Sequence, residues 1–192
     1  MANANDLRKG NAINKDGDIH IVLDMERVKP GKGGAYVQAA LRNLRTGKSS
    51  QTRFSSTESV DIIPLIRKKL EYSYRDGTEY VFLDTETFDQ VHVPGELVEP
   101  VLGYLVEGTA YDLIFSEGQP LQLELPASVN LTVVESPEWV KGDSATNVRK
   151  PVKLETGLEA LVPLFIKAGE VIKIDPRTGE YLSRAKDADG TD

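Results

Sequence analysis

The chain has 192 residues, 40% of them hydrophobic and 7% aromatic, with no cysteine. The missing thiols exclude disulfides, thiolate zinc sites and cysteine nucleophiles, and make a reducing cytoplasm the expected compartment. The net charge of −7 is unevenly spread: residues 1–64 carry 10 basic and 7 acidic groups, residues 65–128 carry 4 and 12, and residues 129–192 carry 9 and 11.

From the N-terminus, MANANDLRKG has no apolar segment of the kind that directs secretion. A β-branched run at 19–23 follows the turn pair Asp16-Gly17. Residues 27–57 then contain seven Lys or Arg and no Asp or Glu, a local positive field on an acidic chain. Within this stretch Arg27, Arg42 and Arg45 are candidate RNA contacts.

The sharpest feature lies inside the same stretch. In Lys29-Pro30-Gly31-Lys32-Gly33-Gly34-Ala35, Pro30 ends the incoming strand because it has no N–H for a ladder. Gly31, Gly33 and Gly34 tolerate φ > 0 and remove bulk on both sides of Lys32. The expected result is a narrow hairpin tip carrying one long cation, able to enter a confined polar cavity. A phosphate-cradling loop needs Ser or Thr after the lysine and then a helix. Here Gly33 and a strand follow.

Farther along, turn signals recur at Thr46-Gly47, Asp76-Gly77, Pro94-Gly95, Glu117-Gly118 and Thr178-Gly179, between short runs at 80–83, 121–125, 129–134 and 171–174. This punctuation predicts an all-β chain. Helical patterning is weak: a turn or two around 60–69, broken by Pro64, and another over 95–105, broken by Pro100 and Gly103. The longest apolar run, 160–166, is far short of the ~20 residues of a membrane helix.

Three β-barrel modules fit: 1–65 with the basic hairpin, 66–128, and 129–186, followed by a disordered tail at 187–192. In the third, Lys141, Gly142, Asp143, Ser144, Ala145, Thr146, Arg149 and Lys150 make a polar loop suited to phosphate contacts. His20 and His92 lie far apart, and Asp84, Glu86 and Asp89 lack the glycine and terminal glutamate of a calcium loop. No acid–base pair, metal site or cofactor motif emerges, so a non-enzymatic protein is expected.

The KPGKGGA tip, the strand ending LRNLRTG, the VKGDSAT…KPVKLETG stretch and the closing GEVIKIDPRTGEYLSR together resemble bacterial translation elongation factor P over about residues 6–184. The resemblance implies an SH3-like (KOW-type) N-terminal domain followed by two OB folds in an L-shaped, tRNA-mimicking arrangement. It implies a monomer that binds the 70S ribosome, touching ribosomal RNA and peptidyl-tRNA, and relieves stalling at consecutive prolines. In that family the tip lysine, here Lys32, approaches the acceptor end of the tRNA and is often extended by a modifying enzyme. Lys32 argues against branches with arginine at the tip, and the third module against the shorter hypusine-bearing counterpart. The family's third-domain loop often reads Gly-Asp-Thr-Ala, where this chain has Ser144. The competing expectation is a general OB-fold nucleic-acid binder, using aromatic platforms such as Tyr36, Tyr72 and Tyr74.

Overall fold

The computed structural model describes residues 2–138 and 148–185. Contacts divide the chain into two compact units, Met1–Lys68 with Leu113–Gln122, and Lys69–Asp112 with Leu123–Asp192. Strands dominate throughout, as the turn spacing predicts.

In the first unit, β1 (Ala2–Asn3), β2 (Ala12–Lys15), β3 (Asp18–Val28), β4 (Tyr36–Asn43), β5 (Ser49–Ser55) and β6 (Ser59–Ile63) form an antiparallel sheet of order β1-β6-β2-β3-β4-β5. Asp16 and Gly17 close the β2–β3 hairpin at φ 57° and 85°. Two successive left-handed residues give a two-residue loop whose twist matches that of the strands. Along β4, period-two alternation buries Val37, Ala39 and Leu41 and turns Gln38 outward. The buried set packs with Ala4, Leu7, Ile13, Val22, Phe54 and Val60.

Strand β3 is much longer than β2, and β2 pairs with it only from Asp18 to Ile21. Beyond Val22, which exchanges main-chain hydrogen bonds with Asn11 and Gly10, β3 pairs in the sheet only with β4 up to the Val28–Tyr36 rung, with a bulge between Val22 and Asp24. At strand spacing this carries the hairpin end roughly 20 Å past its last contact with β2. The length of β3 is what places the tip loop.

The helical turn expected around 60–69 is not there. Val60 and Ile62 belong to β6, which pairs with β1 and β2. After Pro64 the chain enters β7 (Ile66–Asp76). Pro64 separates two strands, and β-branched residues at period two override the weak helical pattern.

Strand β7 joins β8 (Glu79–Leu83), β9 (Gln90–Pro94), β10 (Ala110–Ser116) and β11 (Gln119–Glu124) in a sheet of order β11-β10-β7-β8-β9. The side chains of Tyr72, Tyr80 and Phe82 stack on it, with ring centroids 5.4 Å apart for Tyr72–Phe82 and 6.2 Å for Tyr72–Tyr80. The helix expected over 95–105 survives as one turn, α1 (Gly95–Val98), continuing as a 3-10 segment, Glu99–Tyr104. Pro100 sits at the start of the 3-10 segment, where its missing N–H costs nothing.

A last sheet takes β12 (Val129–Glu135), β13 (Arg149–Leu154), β14 (Glu159–Pro163), β15 (Val171–Asp175) and β16 (Glu180–Arg184) in the order β14-β13-β12-β15-β16. Its core holds Leu131, Leu154, Val162, Ile166, Ile172 and Ile174, all fully buried. Tyr104 and Val106 pack on that core from the segment preceding β10. The Thr156 hydroxyl donates to the Gly103 carbonyl at 2.6 Å. A Cβ at Gly103 would meet the Leu158 side chain at 3.2 Å, so the two segments pack closely here.

Candidate functional site: the lysine hairpin tip

The β3–β4 ladder ends at the Val28–Tyr36 pair, and residues 29–35 form the loop beyond it. Lys29, Pro30, Gly31, Lys32, Gly33 and Gly34 are all exposed, while Ala35 is half-buried. The three glycines do different things. Gly33 stands at φ 102°, a conformation L-residues rarely adopt, whereas Gly31 and Gly34 have no positive φ. A Cβ at any of the three would meet no atom within 4 Å. Gly33 therefore shapes the backbone, and Gly31 and Gly34 keep the tip around Lys32 free of bulk. Among the described residues, the Lys32 ammonium is engaged in no hydrogen bond or ion pair. At the loop base, the Ser56 N–H donates to the Ala35 carbonyl at 3.0 Å and ties the tip to the β5–β6 turn.

The other cations of the acid-free stretch divide into groups. Arg27 is turned back on its own domain: one guanidinium nitrogen donates to the carbonyl of Asn5 at 2.8 Å and to that of Leu7 at 3.0 Å. Arg45 is held by Asp18 at the opposite end of the sheet, Nε to Oδ1 at 2.8 Å and Nη2 to Oδ2 at 2.7 Å. Asn43 adds a third bond to the same carboxylate at 2.8 Å. Hydrogen bonds from Arg45 first and Asn43 second hold the Asp18 carboxyl down at about 2. Arg42 is half-buried on β4, opposite Ile21 on one side and Ser49 on the other.

One cation that composition does not single out stands at the base of the tip. The Arg53 guanidinium lies over the Tyr36 ring, 3.5 Å from its centroid. Tyr36 pairs with Ser55, so Arg53 is its diagonal neighbour on the outward face. That diagonal is the only signal that could have found it, and it requires the register. Of the other aromatic platforms, Tyr72 is buried in the core and Tyr74 is 43% exposed.

Of the polar stretch preceding β13, Lys141, Gly142, Asp143, Ser144, Ala145 and Thr146 lie outside the described residues. Arg149 and Lys150 open β13 on opposite faces, Arg149 exposed and Lys150 only 7% exposed. The Lys150 ammonium donates to the Pro137 carbonyl at 3.1 Å. Elsewhere, His92 Nδ1 sits 3.2 Å from Glu79, and Asp84 caps its own turn by accepting from the N–H groups of Glu86 and Thr87. Among the described residues, no cluster of His, Asp or Glu could hold a metal.

Comparison with known proteins assigns the chain to a class of translation factor that joins a KOW-like domain to an OB domain. The family model described as Elongation factor P (EF-P) KOW-like domain matches residues 3–60, the Elongation factor P (EF-P) OB domain matches 65–123, and Elongation factor P, C-terminal matches 129–184. Elongation factor P of Acidothermus cellulolyticus is 43% identical over 185 residues, covering 96% of this chain and 99% of that one. Those of Moorella thermoacetica (43% over 185 residues) and Clostridium novyi (42% over 184) each cover 96% of this chain and are themselves covered completely. Among solved structures, one described as eukaryotic translation initiation factor 5A from Methanococcus jannaschii aligns with a TM-score of 0.48 and 20% identity, over 64% of this chain and 92% of that one. The chain belongs to the elongation factor P family. Its role is that of a translation elongation factor, which makes it a protein that serves a reaction of the translation machinery.

Proposed function

We propose that this protein binds the 70S ribosome as a monomer beside the peptidyl-tRNA and promotes peptide-bond formation at consecutive prolines. The observation that carries this reading is the exposed Lys32 between Gly31 and Gly33, at the end of a hairpin longer than its sheet requires. Proline reacts slowly because its rigid ring is a poorly positioned donor and nucleophile. A cationic tip beside the tRNA acceptor end holds the reactants in a productive geometry, and orientation alone can supply several kcal/mol. About 2–3 kcal/mol corresponds to roughly a hundredfold in rate.

The same bare flanks let a modifying enzyme reach the Lys32 amine, and lengthening that side chain extends its reach. Arg42, Arg149 and residues 141–146 are assigned to ribosomal RNA contacts, and the working compartment is the cytoplasm. The test is addition of the purified protein to ribosomes halted within a run of prolines. Release of the block supports the reading. Binding to free RNA with no effect on the halted ribosomes favours a general OB-fold nucleic-acid binder instead.

A further inference from the structure

We propose that Arg53, stacked on Tyr36, is a preorganised contact for the phosphodiester backbone of an RNA strand running along the β5 edge towards the Lys32 tip. The inference rests on the ribosomal reading for the identity of that strand, which is then the acceptor arm of the peptidyl-tRNA.

The geometry argues for a ligand in three steps. First, the guanidinium lies 3.5 Å from the Tyr36 centroid, so one face is covered and the plane is fixed. Stacking leaves the in-plane N–H fork free, and that fork matches two oxygens of a phosphate. Among the described residues no acceptor occupies it.

Second, among the described residues Arg53 pairs with neither of two acidic residues that register and sequence bring towards it. Gln38 lies directly opposite Arg53, and Glu26 opposite Gln38 on β3. The Glu58 carboxylate accepts the Ser55 N–H at 2.9 Å. Neither forms an ion pair with Arg53, whereas Arg45 is fully committed to Asp18 and Arg27 to main-chain oxygens. Within the basic stretch, Arg53 is thus a cation immobilised without being neutralised.

Third, β5 is the edge of its sheet, and its remaining residues, Ser49, Ser50, Gln51, Thr52, Phe54 and Ser55, include no carboxylate. A polyanion can approach this edge closely. The bland alternative is that an arginine on an edge strand only discourages sheet-to-sheet pairing. That role would leave nucleic-acid affinity unchanged.

The experiment measures binding of the full-length protein to ribosomes carrying peptidyl-tRNA at a proline run, across a salt series. The variants are Arg53→Gln, Arg53→Lys and Tyr36→Leu, with thermal unfolding recorded for each. The expected result is that Arg53→Gln weakens binding about tenfold and flattens the log–log salt slope by about one. Arg53→Lys keeps the slope and loses part of the affinity. Tyr36→Leu keeps the slope and weakens binding, because the charge remains and its orientation is lost. Wild-type affinity and slope in Arg53→Gln overturn the proposal, as does a lower melting temperature with an unchanged slope. If the wild-type protein fails to bind the ribosome at all, the ribosomal reading falls. The same slope comparison on free tRNA then decides Arg53 by itself.

Discussion

Arg27 and Leu7 are joined by a 3.0 Å hydrogen bond from the guanidinium to the main-chain oxygen, and the same nitrogen reaches Asn5 at 2.8 Å. The arginine lies near the end of β3, and Leu7 is fully buried beneath the sheet. The bond therefore braces the long hairpin against the N-terminal segment, close to the loop that carries Lys32. Arg27→Ala is expected to cost about 1 kcal/mol of stability, read by denaturant unfolding. Arg27→Lys should recover part of it, because both bonds leave a single nitrogen and an ammonium also carries several N–H donors. Unchanged stability in Arg27→Ala would return this side chain to the pool of RNA contacts.

The tip glycines should separate by what each one does. Gly33→Ala puts a side chain at φ 102° and is expected to cost roughly 1 kcal/mol or to reshape the loop. Gly31→Ala and Gly34→Ala meet open space and should unfold like the wild type. They should nevertheless slow proline-run translation, because they thicken the tip beside Lys32. Equal activity in all three variants would show that the glycines serve no narrow cavity.

The Asp18–Arg45–Asn43 cluster sets a pH dependence. The Asp18 carboxyl ordinarily titrates near 3.8 and is lowered to about 2 in the folded protein. A carboxylate depressed in the folded state contributes stability above its unfolded value, and that contribution disappears as pH falls from about 3.8 towards 2. Asp18→Asn should lower the melting temperature at pH 7 and converge with the wild type at the acid end of that window. A constant difference across the same range would mean that the pair contributes through shape and not through charge.

Lys150 tests how a basic residue in a predicted nucleic-acid loop can be structural. With its stem buried and its ammonium on the Pro137 carbonyl, Lys150→Ala should cost about 1–2 kcal/mol through lost packing. Lys150→Met should retain most of the stability and leave the salt dependence of ribosome binding at its wild-type slope. A flattened slope in Lys150→Met would put the ammonium on a phosphate.

Much of this was legible in the residues alone because turn chemistry is local. Asp16-Gly17 adopts the left-handed pair that its residues favour, Gly118 marks the turn it shares with Glu117, and Pro30 ends its strand where a missing N–H must. The lysine tip follows from the same logic. What stayed hidden depended on register and on distant partners. The charges of Arg27, Arg45 and Lys150 read alike as candidate RNA contacts, yet each is taken by a carbonyl or carboxylate that only the fold brings near. The Tyr36–Arg53 stack exists because β4 and β5 pair with Tyr36 opposite Ser55. Residues 60–69 read as a broken helix because Pro64 and Pro-flanking constraints say where a helix stops, not that two strands meet there.

The lysine itself admits the most direct measurement. Single-turnover formation of a proline–proline bond on ribosomes, with saturating wild-type protein or Lys32→Ala, isolates the tip from the rest of the molecule. The wild type should accelerate the step by about a hundredfold if the tip supplies the 2–3 kcal/mol assigned to it, and Lys32→Ala should bind and yet give almost no acceleration. Full acceleration by Lys32→Ala would contradict the account, because the rate would then owe nothing to the amine at the end of the hairpin.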